Sequence, residues 1–308
     1  MLYLFILIAF VGAACSPLQT AVNSKMSQIV RSPLLSAFIS FIVSTVIVGG
    51  ITLAADRTLL PDATVAAALP WWGWLGGVLG VVGVTLLIVI FPKLGGVQTV
   101  LLPMLGITLT SMLIDTFGWC GYEAQSIQAA RIVGLLLVII GLVLYTMPAK
   151  DQGSKVHTPW VYRLFGIVVG VMFALQPAVN GYVATQFGSS FFASWLSFAE
   201  SDVIFLILLL FMPQARRYAR NAFRQSDDRP WWVWLGGLFG AIYVITFAHF
   251  TPLIGVTLIS VTSVFAQLTS STLIDRFGWF GAMRKSIAVR QYVALAIVLV
   301  GTLVMNIW

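Results

Sequence analysis

The sequence predicts an all-α integral membrane protein of about ten transmembrane helices, arranged as two inverted five-helix repeats. Three observations carry that prediction: long apolar runs joined by short connections, a duplication in register, and a charge pattern that changes sides between the copies. Of 308 residues, 59% are hydrophobic and 9% charged, against roughly 45–50% and 25% in a soluble domain. A soluble fold cannot hide that much apolar surface.

A membrane-crossing helix needs about 20 predominantly apolar residues. Such runs fall at 2–22, 34–55, 72–91, 97–115, 129–147, 160–183, 191–212, 231–250, 254–274 and 289–307. The first opens on Leu2-Tyr3-Leu4-Phe5 with no basic stretch before it, and reads as a retained helix, not a cleaved signal peptide. Pro17 and the segment Gln19 to Asn23 interrupt it with a helix breaker and amides. The third and eighth runs each enter through a tryptophan cluster that suits an aromatic belt at the water boundary, then carry Gly76 and Gly80, or Gly236 and Gly240, at a spacing that lets helices pack closely. The fourth and ninth leave the membrane at Asp115 and Asp275, which read as turn formers. The sixth repeats the interruption of the first, at Gln176-Pro177 to Asn180.

These features pair off. Gln19 to Asn23 matches Gln176 to Asn180, Trp71 to Gly77 matches Trp231 to Gly237, and Leu113 to Trp119 matches Leu273 to Trp279, at nearly constant spacing. The boundaries follow: a first repeat over 1–150, a cytoplasmic linker at 151–159 and a second repeat over 160–308. Five helices per repeat is an odd number, so the second must enter the membrane from the opposite side. Lysine and arginine collect in cytoplasmic loops, and they switch sides at matched positions: Lys25 and Arg31 face Tyr182 and Gly188, while Tyr122-Glu123-Ala124-Gln125 faces Ala282-Met283-Arg284-Lys285. One side holds nearly all the basic residues and the other only Arg57 and Arg131, which places both termini outside the cytoplasm and the Arg-rich loop 213–230 inside it. The formal net charge of +7 is thus a signature of topology, with no nucleic-acid partner implied.

Inverted repeats bury a solute site where the halves meet, often beside interrupted helices. Gln19, Asn23, Gln176 and Asn180 are the candidate substrate-binding amides there, with Gln98 and Gln267 as further cavity amides; the plainer alternative for all six is interhelical packing. Glu200 and Asp202 stand near the centre of the seventh run, where an acid costs at least about 2.5–3.5 kcal/mol on insertion scales. Their matched residues are Val43 and Thr45, so the acids belong to one half only. Desolvation makes a carboxylate hold its proton more strongly, which would let Glu200 or Asp202 carry a coupling proton. About 200° of helix rotation separates them, so one of the two, not both, is expected to do so; the alternative is a protonated or paired structural acid. His249, at a helix end, reads as a solvated or hydrogen-bonded group, and Cys15 and Cys120 as small apolar residues without redox or metal spacing.

No phosphate-binding loop, zinc-protease helix or serine nucleophile elbow occurs, so neither ATP-driven pumping nor enzyme catalysis is expected, and no cofactor or metal. The paired Gln-x-Ala-Val-Asn and Leu-Ile-Asp-x-Phe-Gly-Trp segments on ten spans make the chain similar, over its whole length, to fused two-half members of the YdcZ-type family in the drug/metabolite transporter superfamily. That resemblance implies a secondary transporter or exporter of a small metabolite or drug-like solute, working by alternating access in a bacterial inner membrane. It assigns no substrate and no role to Glu200 or Asp202. Expected partners are the solute, membrane lipids and protons, with the chain acting as monomer or homodimer. Two other readings stand beside it: a non-transporting membrane subunit working through loop 213–230, and a lipid-linked flippase.

Overall fold

The computed structural model describes residues 2–126, 128–147, 160–211, 230–282, 284 and 287–305, with the backbone alone at 88, 91–92 and 95–99. The linker 151–159, the loop 213–229, Lys285 and the side chain of Gln98 therefore lie outside the described residues. Helices α1 (Leu2–Val30), α2 (Pro33–Asp56), a short α3 (Ala63–Ala68), α4 (Gly76–Phe117) and α5 (Ala129–Thr146) form the first half. Helices α6 (Trp160–Phe187), α7 (Ser190–Phe211), α8 (Leu235–Ile254), α9 (Val256–Phe277) and α10 (Val289–Val304) form the second. Among the described residues all regular structure is helical, and eight helices are long and apolar enough to cross a membrane, with shorter apolar helices at Trp71–Leu87 and Val289–Val304.

Local chemistry explains most boundaries. Ser32 caps α2 by accepting a hydrogen bond from the Leu35 N–H at 3.2 Å, and Pro33 occupies the first helical position, where its missing N–H costs nothing. The fourth and ninth spans both end on a glycine with positive φ, Gly118 at 66° and Gly278 at 69°, a conformation that a β-carbon would strain. Two expectations need correction. Pro17 and Pro177 do not interrupt their helices: α1 and α6 run through them, since a proline removes only one backbone bond and neighbouring helices can accommodate the loss. The break comes instead at Gly255, φ 87°, between α8 and α9.

α4 is helical over 42 residues, which at about 1.5 Å per residue would be roughly 63 Å, twice the bilayer core. Its contacts show that it turns back. Gly80 lies against Gln176 and Gly83 against Phe173 as the chain descends along α6; Leu102 then meets Gly166 and Gly106 meets Gly170 as it returns. The two predicted spans at 72–91 and 97–115 are thus two passes along the same partner helix.

Matched residues of the two halves touch each other. Phe41 and its mate Phe198 meet edge to face, with ring centroids 5.4 Å apart, where α2 crosses α7. Val138 and its mate Val298, both fully buried, pack where α5 crosses α10. The core consequently consists of contacts between halves more than within them.

Candidate functional site

The four matched amides sit on glycines of the opposite half. A β-carbon on Gly236 would stand 2.2 Å from Asn23 Oδ1, and one on Gly76 the same distance from Asn180 Oδ1. Gln19 and Gln176 lie in the same way on Gly240 and Gly80. Asn180 donates to Ser197 Oγ at 3.2 Å and Gln19 to Ser40 Oγ at 3.3 Å. None of the four lines the large cavity described below. The glycines that read as packing positions and the amides that read as solute ligands are therefore two sides of one contact.

The acids part company as helical geometry requires. Glu200 accepts the Gly77 N–H at 2.9 Å, so its carboxylate meets the first turn of α4, where unpaired N–H groups and the helix dipole favour negative charge. It borders a narrow crevice with Gly73, Gly76, Asn180, Val183, Ala193, Leu196 and Ser197, none of which titrates. Asp202 points to the other side and pairs with Thr45 Oγ1 at 2.5 Å; its second oxygen is buried with no hydrogen-bond partner among the described residues. Thr45 is the residue matched to Asp202, so this pair, like Phe41 and Phe198, lies where matched positions of the halves meet. His249 meets neither acid: it is exposed, and Nδ1 lies 3.3 Å from Ser190 Oγ. Gln267 donates to Ser263 Oγ at 2.6 Å on its own helix.

A cavity of about 560 Å³ opens at the end of the bundle that carries Leu2 and Met305. Both halves line it, and its polar wall comprises Asp115, Tyr122, Glu123, Gln125, Arg131, Tyr182, Thr185 and Thr257. Asp115, 3% exposed, is more than a turn former: its two oxygens accept the N–H groups of Val256 and Thr257 at 3.0 and 2.7 Å, capping α9 across the break at Gly255. Thr257 Oγ1 returns a bond to the Ser111 carbonyl at 3.0 Å, and Tyr122 donates to the Ala178 carbonyl at 3.1 Å. Arg131 is held by the side chain of Gln125, while Glu123 is exposed and has no partner among the described residues. Cys120 also faces this cavity, and burial pushes its thiol up to about 11.

Sequence reasoning did not assign these residues to a site. Two signals pointed to them: Arg131 is one of two basic residues on its side, and Tyr122 to Gln125 departs from the basic segment matched to it. In the other half the place of Cys120 belongs to Phe280, whose ring packs against Trp232 and Phe239 at 5.4 and 6.0 Å. At this matched position the two halves are thus filled differently.

A family model described as "Putative inner membrane exporter, YdcZ" matches residues 4–144 and 161–304, one segment in each half. No curated protein matches the chain. A solved structure titled "Crystal structure of protein" shares the fold, with a TM-score of 0.70 at 16% identity over 98% of this chain and 94% of that one.

Proposed function

Because the chain belongs to this family of inner membrane exporters, we propose that it is a secondary active transporter that moves a small polar or drug-like solute by alternating access, with both termini on the non-cytoplasmic side. The cavity carries this reading. It lies between the two halves, has room for a small solute, and opens beside Cys120, whose place in the other half is taken by the packed ring of Phe280. An inverted repeat exposes its centre to alternate faces when its two copies exchange arrangements. With both termini read as outside from the distribution of lysine and arginine, the open end is the non-cytoplasmic one and we read the conformer as outward-facing.

We assign the coupling proton to Glu200. The contact it makes does not itself require an acid: Val43, its mate, sits against Gly237 with the same closeness that Glu200 shows to Gly77. Glu200 also borders a crevice between α4 of one half and α6 and α7 of the other, whereas Asp202 is engaged with its own mate away from that crevice. The test is proton release by purified protein on addition of a panel of small metabolites, amines and drugs. A solute-triggered release present in the wild type and in Asp202→Asn but lost in Glu200→Gln is expected. Release that survives Glu200→Gln unchanged removes the assignment, and solute flux without any release makes the carrier uncoupled.

A further inference from the structure

α9 is the most polar of the long helices, and its polar residues are not scattered. Ser260, Ser263, Gln267 and Ser270 fall within about 80° of the helix circumference at 100° per residue. Thr257, one turn before Ser260, lines the cavity. Neighbouring contacts fix where this face looks. To one side of it Ser270 donates to the Ala14 carbonyl of α1 at 2.9 Å, and to the other Thr257 reaches Ser111 of α4. Between them Val256 packs on Ala174 and Ala178 of α6. The face therefore looks into the centre of the bundle, toward the meeting line of the halves.

Two features separate it from ordinary helix packing. Ser260, beside the cavity, is 2% exposed and makes no hydrogen bond to the described residues; Thr262, on another side of the helix, is also buried without a partner. The matched stretch of α4 places Val100, Pro103, Ile107 and Thr110 where α9 has Ser260, Ser263, Gln267 and Ser270, so helix pairing in this fold does not demand the polar row. The row begins at the cavity and extends about 15 Å past Ser260 at 1.5 Å per residue, to the depth of the bilayer centre.

Resting on the transport reading, we infer that this face of α9 is the inner wall of the solute path, and that the solute is a small, net-neutral, hydrogen-bonding molecule, not a lipophilic cation. From Thr257 to Ser270 the face offers hydroxyls and one amide, and no residue of it ionises. Such a wall can exchange hydrogen bonds with a polar solute step by step. A permanent cation would leave the charged mouth at Asp115, Glu123 and Arg131 for a stretch with no counter-charge.

The test uses the full chain in proteoliposomes with Cys15→Ala and Cys120→Ser, adding one cysteine at a time. Ser260→Cys and Gln267→Cys lie on the face; Val261→Cys and Leu268→Cys lie in the apolar cluster behind it. A small uncharged, polar methanethiosulfonate should modify the first pair at least about tenfold faster than the second, and added neutral or zwitterionic polar solutes that the protein transports should slow it. In the same vesicles Gln267→Leu should lower flux of those solutes by about tenfold while the melting temperature stays unchanged. Equal labelling of both pairs alongside measurable flux overturns the path and leaves the transport reading standing. Flux of tetraphenylphosphonium that Gln267→Leu does not alter overturns the solute class. Reactive face cysteines with no flux of any solute remove both the transport reading and this one.

Discussion

Removing the carboxylate of Asp115 should loosen the joint between the two halves at the mouth of the cavity. Asp115→Ala deletes two charge-assisted hydrogen bonds to the first N–H groups of α9. Each is worth about 1.5–3 kcal/mol net when the acceptor is charged. Val256 is fully buried, so its N–H would be left unsatisfied, whereas Thr257 lines the cavity and water can replace one lost partner there. The loss is therefore about 2–4 kcal/mol, less than the sum of two full bonds. Asp115→Asn keeps one acceptor and forfeits the interaction with the helix dipole, for about 1–2 kcal/mol. At about 2 °C per kcal/mol for a chain of this size, the alanine variant should melt about 4–8 °C lower and the asparagine variant about half as far. Melting in detergent micelles, followed by tryptophan fluorescence, reads this directly, with Glu123→Ala, exposed and without a partner among the described residues, as the control that should not move. An Asp115→Ala protein that melts within about 1 °C of wild type refutes the cap as a source of stability.

Three further outcomes follow from the same contacts. Gly76→Ala drives a methyl to 2.2 Å from Asn180 Oδ1 and should cost about 1–3 kcal/mol of stability, with Asn180→Ala in the same chain restoring most of it in a double-mutant melting cycle. Glu200→Val copies the matched Val43 contact but removes the acceptor of the Gly77 N–H; it should cost about 1.5–3 kcal/mol, the worth of that one bond, and abolish the pH dependence of transport, and a larger loss of stability would mean that the acid is structural. Because burial lifts the Cys120 thiol from its ordinary 9.0 to about 11, its thiolate fraction at pH 8 is about a hundredfold below that of a free thiol. Its maleimide labelling should therefore keep rising about tenfold per pH unit up to pH 10, whereas the unfolded protein levels off near pH 9.

The architecture was legible because a membrane forces it into composition. Apolar runs long enough to span, separated by short connections, identify helices whatever their packing, and three matched segments identify the duplication. The passes at 72–91 and 97–115 were separable by sequence as two apolar runs even though the backbone between them stays helical. The site was less legible. Gln19, Asn23, Gln176 and Asn180 carry a polar signal in apolar helices, but a buried amide looks the same whether it binds a solute or fills the hollow above a glycine; only the opposing helix decides. Asp115 was hidden for the same reason, because the N–H groups it serves lie 141 and 142 residues further along the chain. Proline misled at Pro17 and Pro177, where the cost of one lost hydrogen bond is absorbed locally, while the actual break needed the positive φ of Gly255.

The meeting of Asp202 with Thr45 bears on why the two halves share one chain. In an assembly of two identical half-length subunits, a residue on the axis faces its own copy. An aspartate there would confront another aspartate within hydrogen-bonding reach, and two such carboxylates cannot both ionise. Joining the halves ends that constraint: one side can hold an acid while the other supplies a hydroxyl to receive it. Once covalently joined, the two copies can diverge at the very positions where self-pairing had bound them to change together.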